Sequence, residues 1–358
     1  MEILRQALAD IKPSNEEAKK LVREKWDGKV KPIGSLGTLE EVTIKIAGMT
    51  GKVENSIDKK AIVVMASDNG VVGEGVSSSP QIFTRLLAES MSRGQTGVAT
   101  LGKFGNIDIK IIDIGLNGEL NIPEVMNKKI ANGTKSFLRG PAMTYDEAVR
   151  AIETGIEIGD EMFKEGYDIL GTGELGIGNT TTSAAVLKVF ADYDIEAISG
   201  KGAGLTNEQL QHKIQVILRG IEFNKPDKDD PIDVLAKVGG FDIGGMCGLY
   251  LSAAKNRKPI VVDGYISAAA ALRAVKLAPA VRDFLIPSHL SDEPGAKYVM
   301  NELSLKPMVY MNMRLGEGTG CPFAFMIIEA ALYTLENMGT FEDAQVDSKV
   351  LINIREDN

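Results

Sequence analysis

The sequence reads as an α/β protein with a parallel sheet flanked by helices. Short apolar runs end beside a carboxylate or a glycine, a glycine-rich loop follows, and a helical segment follows the loop, at least five times over. Branched residues dominate the runs, as in strands buried on both faces. The 358 residues, 44% hydrophobic and 25% charged, suffice for one large domain with a smaller partner.

The elements fall in order. Up to Met49 the chain reads as helical. Ser14-x-x-Glu17 has the capping-box pattern and opens a helix through Trp26; Lys31 to Gly37 interrupts; Leu39 to Met49 resumes. Ala61 to Ser67 (AIVVMAS) is a buried strand running into Asp68-Asn-Gly70. Gln81 to Leu101 reads as mostly helical, and Ile107 to Ile114 as a second strand. Thr144-x-x-Glu147 caps a helix through Lys164, and Thr206-x-x-Gln209 caps another. Tyr167 to Leu170 is a short strand, Ile260 to Asp263 another, followed by an Ala-rich helix from Ser267. Phe284 to Pro287 is a further candidate strand. Val309 to Met313 is a strand-like run leading to Arg314, and the last helix spans Pro322 to Asn337. The tail after Asp343 is polar and reads as loose. The terminal helical segments, 1–58 and 330–358, are expected to pack together as a small helical domain beside a large domain of 59–329.

Composition excludes several functions. No apolar run approaches the ~20 residues of a membrane helix. The N-terminus lacks the apolar region of a secretory signal and carries acids, so a cytoplasmic protein is expected. Cys247 and Cys321 are the only cysteines, too few for a disulfide framework or a cysteine zinc site. The net charge of −9 argues against nucleic-acid binding. With only His212 and His289, a histidine-rich metal site is excluded, and acid–base work falls to carboxylates, Lys or Tyr. No metal or cofactor is expected.

Ligands of parallel sheets bind beyond the C-terminal strand ends, where this chain carries Asp68, Asp113, Glu174, Asp263 and Glu317. Gly171 to Thr182 holds four glycines and then Asn179-Thr-Thr-Thr before an apolar helix. Such a loop admits a phosphate to backbone N–H groups, or is simply a strand-to-helix turn. Gly200-Lys-Gly-Ala-Gly204, with Lys213 beyond it, is a second loop of the same ambiguity. Gly316-Glu-Gly-Thr-Gly320 sets one carboxylate among three glycines, a surface turn or a place for a ligand. Asp68 and Asp263 cap the following helix or bind ribose hydroxyls. Ser77 to Pro80 reads as a helix start and Trp26 as packing.

Together these segments resemble one family. KPIGSLGTLE from Lys31, the DxGVVxEGVSxxP pattern with Asn69 at its second place, GTGELGIGNTTTSAA from Gly171, GGFDIGGM from Gly239, VVDGYISAAAAL from Val261, SHLSDEPG from Ser288 and MRLGEGTG from Met313 look like the nicotinate-nucleotide:dimethylbenzimidazole phosphoribosyltransferases, in family order over nearly the whole chain. The resemblance implies a Rossmann-like parallel sheet with a small helical domain. It implies transfer of ribose 5-phosphate from nicotinate mononucleotide to an aromatic base, giving the α-riboside phosphate for cobamide assembly. Glu317 matches the catalytic base, with Glu174 a second catalytic candidate. The ribose and phosphate site would take Gly176, Asn179, Thr180, Gly202, Lys213, Asp263, Ser291, Gly316, Gly318 and Gly320, and the base site Ser79, Leu86 and Leu315. A homodimer, or a heterodimer with a paralogous chain, is implied.

The chain also departs from the family pattern. Asn69 replaces a histidine, Ser79 an aromatic residue and Leu86 a glutamine, while RGQTGVA stands from Arg93. The changes near the base suggest a phenolic acceptor, phenol or p-cresol, in place of dimethylbenzimidazole. Two other readings stand beside this one. A non-catalytic homologue supporting an active paralogue is disfavoured by the retained Glu317. A nucleotide kinase is disfavoured by the lack of a phosphate-loop Lys-Ser/Thr.

Overall fold

The structure, a computed structural model, describes residues 1–345 and 347. Its sheet has six parallel strands: β1 (Lys60–Ser67), β2 (Asp108–Gly115), β3 (Val125–Asn127), β4 (Ile169–Leu175), β5 (Ile260–Val262) and β6 (Leu285–Pro287), in the order β3-β2-β1-β4-β5-β6. The chain first builds outward from β1 through β2 to β3. It then returns to the other side of β1 with β4. The crevice at that reversal is where such sheets hold ligands. Every residue of β1 and β4 is buried, because helices cover both faces.

Helices α1 (Glu2–Asp10), α2 (Glu16–Asp27) and α3 (Thr38–Thr50) precede the sheet. Next come α4 (Ile82–Ser92), α5 (Gly97–Phe104), α6 (Tyr145–Lys164), α7 (Asn179–Phe190), α8 (Ile195–Ile198), α9 (Asn207–Asn224) and α10 (Pro231–Val238). Then follow α11 (Phe241–Lys255), α12 (Tyr265–Leu277), α13 (Ala296–Leu303) and α14 (Cys321–Asn337). On one face α11 lies across β1, β2 and β4 with α6 behind it; α4, α5 and α14 cover the other. Strand alternation sorts the side chains: Thr172 of β4 bonds Tyr250 on α11, while Gly171 faces Cys321 on α14. A smaller apolar cluster of Ala18, Val22, Trp26, Ala47 and Leu335 joins α2, α3 and the end of α14. Helix α1 packs on α6 and α11. The tail, apart from Asp347, lies outside the described residues beyond Gln345.

Several sequence expectations are met and some are corrected. Thr144/Glu147 and Thr206/Gln209 form full capping boxes. Ser14 does not: its N–H and hydroxyl both donate to Asp283, and Asn15 caps α2 instead. The helix expected over Gln81 to Leu101 is broken between Ser92 and Gly97, dividing α4 from α5. The strand expected over Tyr167 to Leu170 runs to Leu175, so Gly171-Thr-Gly-Glu-Leu is strand and not loop. Val309 to Met313 forms only a single bridge, Val309 to His289. Helix α11, apolar on every side, has no amphipathic period by which to be seen. Among the described residues no helix is long and apolar enough to cross a membrane.

Helices α6 and α11 approach until their backbones touch. A methyl on Gly248 would collide with the Ile152 carbonyl and come within 2.8 Å of the Gly155 Cα. Helix propensity alone favours Gly→Ala by ~1 kcal/mol. Overpacking against rigid backbone costs ~1–3 kcal/mol or more. Gly248→Ala is therefore expected to lower the melting temperature; a rise would show that the two helices separate freely.

Candidate active site

The crevice beyond the C-terminal ends of β4 and β5, about 290 Å³ in volume, gathers residues from distant parts of the chain. Its organising contact is Asp263, at the end of β5. One carboxylate oxygen accepts the Gly318 N–H at 3.0 Å and the other the Gly320 N–H at 2.6 Å. Asp263 thus neither caps α12 through its side chain nor turns both oxygens toward a ribose. It holds the loop before α14. Gly318 and Gly320 spend their N–H groups on it, so these N–H groups are not free phosphate donors, and neither residue lines the crevice. Burial pushes Asp263 up to about 7 against the N–H groups of Gly320, Gly318 and Gly264, with Glu317 adding to the rise.

The clamp forces an unusual backbone. Gly316, Glu317 and Gly318 all have positive φ, at 82°, 62° and 94°. For Glu317 this costs on the order of 1–3 kcal/mol, and such strain persists only where surroundings over-determine it. Those surroundings are Asp263, the Glu174 carboxyl, which accepts the Glu317 N–H at 3.4 Å, and Gly173, whose missing Cβ leaves room for the Glu317 carbonyl. The Glu317 side chain then reaches the start of α5, where Oε2 accepts the Val98 N–H at 3.2 Å. No side chain of α5's own N-cap does this work. Burial raises the Glu317 carboxyl, while Val98, Thr96 and Gly97 draw it back toward the anion. The carboxyl so held has nearly all of its surface turned from water.

Glu174 ends β4 on the opposite face. Its Oε2 accepts from the Asn179 carboxamide at the start of α7. Burial pushes it up to about 8, with Asp242 and Asp263 adding repulsion and Asn179 opposing. Asp242, in the first turn of α11, is wholly buried and pushed up to about 6.

Gly176, Asn179, Thr180, Gly202, Ser291 and Gly316 line the crevice around the N-terminus of α7, with Asp263, Glu174 and Glu317 beside them. Helix α7 has no side-chain cap, so its first N–H groups favour an anion. Lys213 does not line the crevice. It is fully buried behind the Gly200 loop, donating to Thr180 Oγ1 and the Gly200 carbonyl, each at 2.9 Å. Burial lowers it to about 8, with Glu293 pulling the other way. Its part is to hold Thr180 and the loop while adding positive potential beneath them.

One stretch of the wall is mostly apolar: Ser79 and Leu315 lie on the lining with Phe83, Leu87, Leu175 and Ile177. Leu86 does not: it sits on the outer side of α4, 45% exposed. Helical spacing turns Leu87 inward and Leu86 away, so the residue at 86 says nothing here about the base. Sequence reasoning missed Asp242, His289, Glu293 and Lys201. His289 packs beneath Gly320, and burial lowers its pKa, favouring the neutral ring. GGFDIGGM held Asp242 in view without a role. Asp68 and Asp113 bind loop N–H groups of Asn117 and Leu116 and stay out of the crevice.

The chain is similar to known proteins in both sequence and fold. A phosphoribosyltransferase family model matches residues 11–346. A nicotinate-nucleotide–dimethylbenzimidazole phosphoribosyltransferase of Clostridium tetani is 53% identical over 99% of both chains. One from Ruminiclostridium cellulolyticum is 47% identical over 96% of this chain and 97% of its own. The crystal structure of CobT from Thermus thermophilus superposes with a TM-score of 0.88 at 37% identity, covering 92% of this chain and 99% of that one.

The buried acids set a pH dependence of stability. Glu174, raised to about 8, keeps its proton in the folded state where the unfolded chain has lost it. Its contribution is full below the ordinary glutamate pKa of ~4.3 and is lost as pH rises through about 8. Denaturant unfolding should show a fall between pH ~5 and ~9 that Glu174→Gln reduces by at least ~1.4 kcal/mol, one pKa unit. An identical fall in both proteins would refute the assignment.

Proposed function

The chain belongs to the nicotinate-nucleotide–dimethylbenzimidazole phosphoribosyltransferase family, and from that membership we propose how its crevice works. It is a pentosyltransferase that moves ribose 5-phosphate from nicotinate mononucleotide to an aromatic base and releases nicotinate, in the making of a cobamide lower ligand. The 5′-phosphate lies at the N-terminus of α7 among Gly176, Asn179, Thr180, Gly202 and Ser291, with Lys213 beneath. The aromatic acceptor lies against Phe83, Leu87, Leu175 and Leu315, with Glu317 at its edge.

Glu317 takes the proton from the acceptor's ring N–H as the other ring nitrogen attacks C1′ with its in-plane lone pair. The C1′–N bond to nicotinate breaks, and its electron pair returns to the pyridinium, leaving a neutral ring. The leaving group needs no general acid. Attack on the face opposite to nicotinate converts a β-riboside into the α-riboside. Rigid placement of acceptor and base supplies much of the acceleration. The observation that carries this reading is Glu317, held in the crevice by Asp263 on one side and the start of α5 on the other.

The acceptor we favour is dimethylbenzimidazole. Leu86 no longer argues for a phenolic pocket; Ser79 alone still supports phenol or p-cresol. A second chain, identical or paralogous, belongs to the same reading, supported by the exposed Ile82, Phe83 and Leu86 on α4. A purely nucleotide-binding homologue is disfavoured, since it has no use for a strained, buried Glu317.

Glu317→Gln keeps an acceptor oxygen for the Val98 N–H but cannot take a proton. Turnover is expected to fall by ~10²–10⁴-fold, with affinity for nicotinate mononucleotide little changed. Turnover near the wild-type value would remove Glu317 as the base.

A further inference from the structure

Asp242 is a carboxylate that the transfer step, as described, does not use. It is fully buried at the start of α11, on the same sheet face as Glu174. Groups face it from three elements: Glu174 from β4, Asn179 from α7, and Asn69 from the segment after β1. Asp263 and Glu317 lie beyond Glu174. Its own Ile243 N–H binds Oδ1 at 2.9 Å, while Oδ2 and both polar atoms of Asn69 make no hydrogen bond of good geometry. Oδ2 sits against Gly176, where an added Cβ would be 3.0 Å away.

The charges in this corner are not balanced alike. Asp263 has two backbone N–H groups, and Glu317 has the start of α5. Lys213 is committed to Thr180 and Gly200. Glu174 and Asp242 have between them only carboxamides and single N–H groups. Two anions buried this close without a cation are disfavoured, and carboxyl pairs in such settings retain one proton. The Asn179 carboxamide, bonded to Glu174 and lying against Asp242, couples them.

We propose that Asp242 is a positioning residue for the transfer reaction: with Asn179 it orients the Glu174 carboxyl and keeps one proton shared between the two acids. Glu174 then meets the bound nucleotide as a neutral hydrogen-bond donor. An ionised Glu174 would add an anion to a crevice that must accept a phosphate, and would face the Glu317 carboxylate. This rests on the functional reading above.

The test is the pH profile of kcat for wild type, Asp242→Asn, Glu174→Gln and the double variant, with nicotinate mononucleotide and dimethylbenzimidazole. Removing the Asp242 charge makes Glu174 easier to ionise. The alkaline limb of Asp242→Asn should move at least ~1 pH unit toward acid, so that kcat falls ~5-fold or more at pH ~8 and much less at pH ~6. The limb should be absent in Glu174→Gln, and Asp242→Asn should shift nothing in that background. A loss equal at every pH, or the same shift without Glu174, would overturn the proposal by showing a structural role only. Should Asp242→Asn fail to fold, infrared spectra of wild type and Glu174→Gln at pH ~7 decide it. A carboxylic-acid carbonyl band lost in the variant supports the shared proton, and its absence from wild type overturns it. Lack of turnover in wild type would count against the functional reading, and the infrared band would still decide the proton.

Discussion

The active crevice depends on one carboxylate holding two backbone N–H groups. Asp263 at the end of β5 fixes Gly318 and Gly320, and through them a loop whose three successive residues are left-handed. A loop with so few side chains has almost no packing of its own. Without Asp263, Glu317 would relax from a conformation that L-residues avoid. With it, the carboxyl is aimed at the start of α5, and α14 begins where the sheet needs covering. Local strain, tertiary packing and the position of the Glu317 carboxyl all follow from that clamp.

The sheet explains why so many acids meet. Parallel strands end together, and the reversal between β1 and β4 opens a gap at that end. Each acid there is managed differently. Asp68 and Asp113 are turned into loop anchors, Asp263 into a clamp, and Glu317 toward the start of a helix. Glu174 and Asp242 face each other through amides. Carboxylates gathered at one end of the sheet thus take different structural tasks from their surroundings alone.

Much of this was legible in the sequence. Period and capping marked α6 and α9, and apolar runs marked β1, β2 and β5. Glu317 stood out because a lone carboxylate among glycines needs something to fill the space around it. Other features were hidden for physical reasons. Gly171-Thr-Gly looks like a loop by composition. Its glycines instead make room within a strand for Cys321 and the Glu317 carbonyl, an approach only tertiary structure reveals. Lys213 and the Gly200 loop are neighbours, yet a buried lysine behind a loop and one facing a ligand have the same sequence. Leu86 and Leu87 differ by one helical step, which decides which of them lines the crevice.

The most direct measurement is product analysis by nuclear magnetic resonance after mixing the protein with nicotinate mononucleotide and dimethylbenzimidazole. The proposed reaction gives nicotinate and the α-riboside 5′-phosphate in equal amounts, with the anomeric proton reporting inversion. Release of nicotinate without riboside, a β-anomer, or no reaction with this base would contradict the assignment of Glu317 and its loop to this transfer.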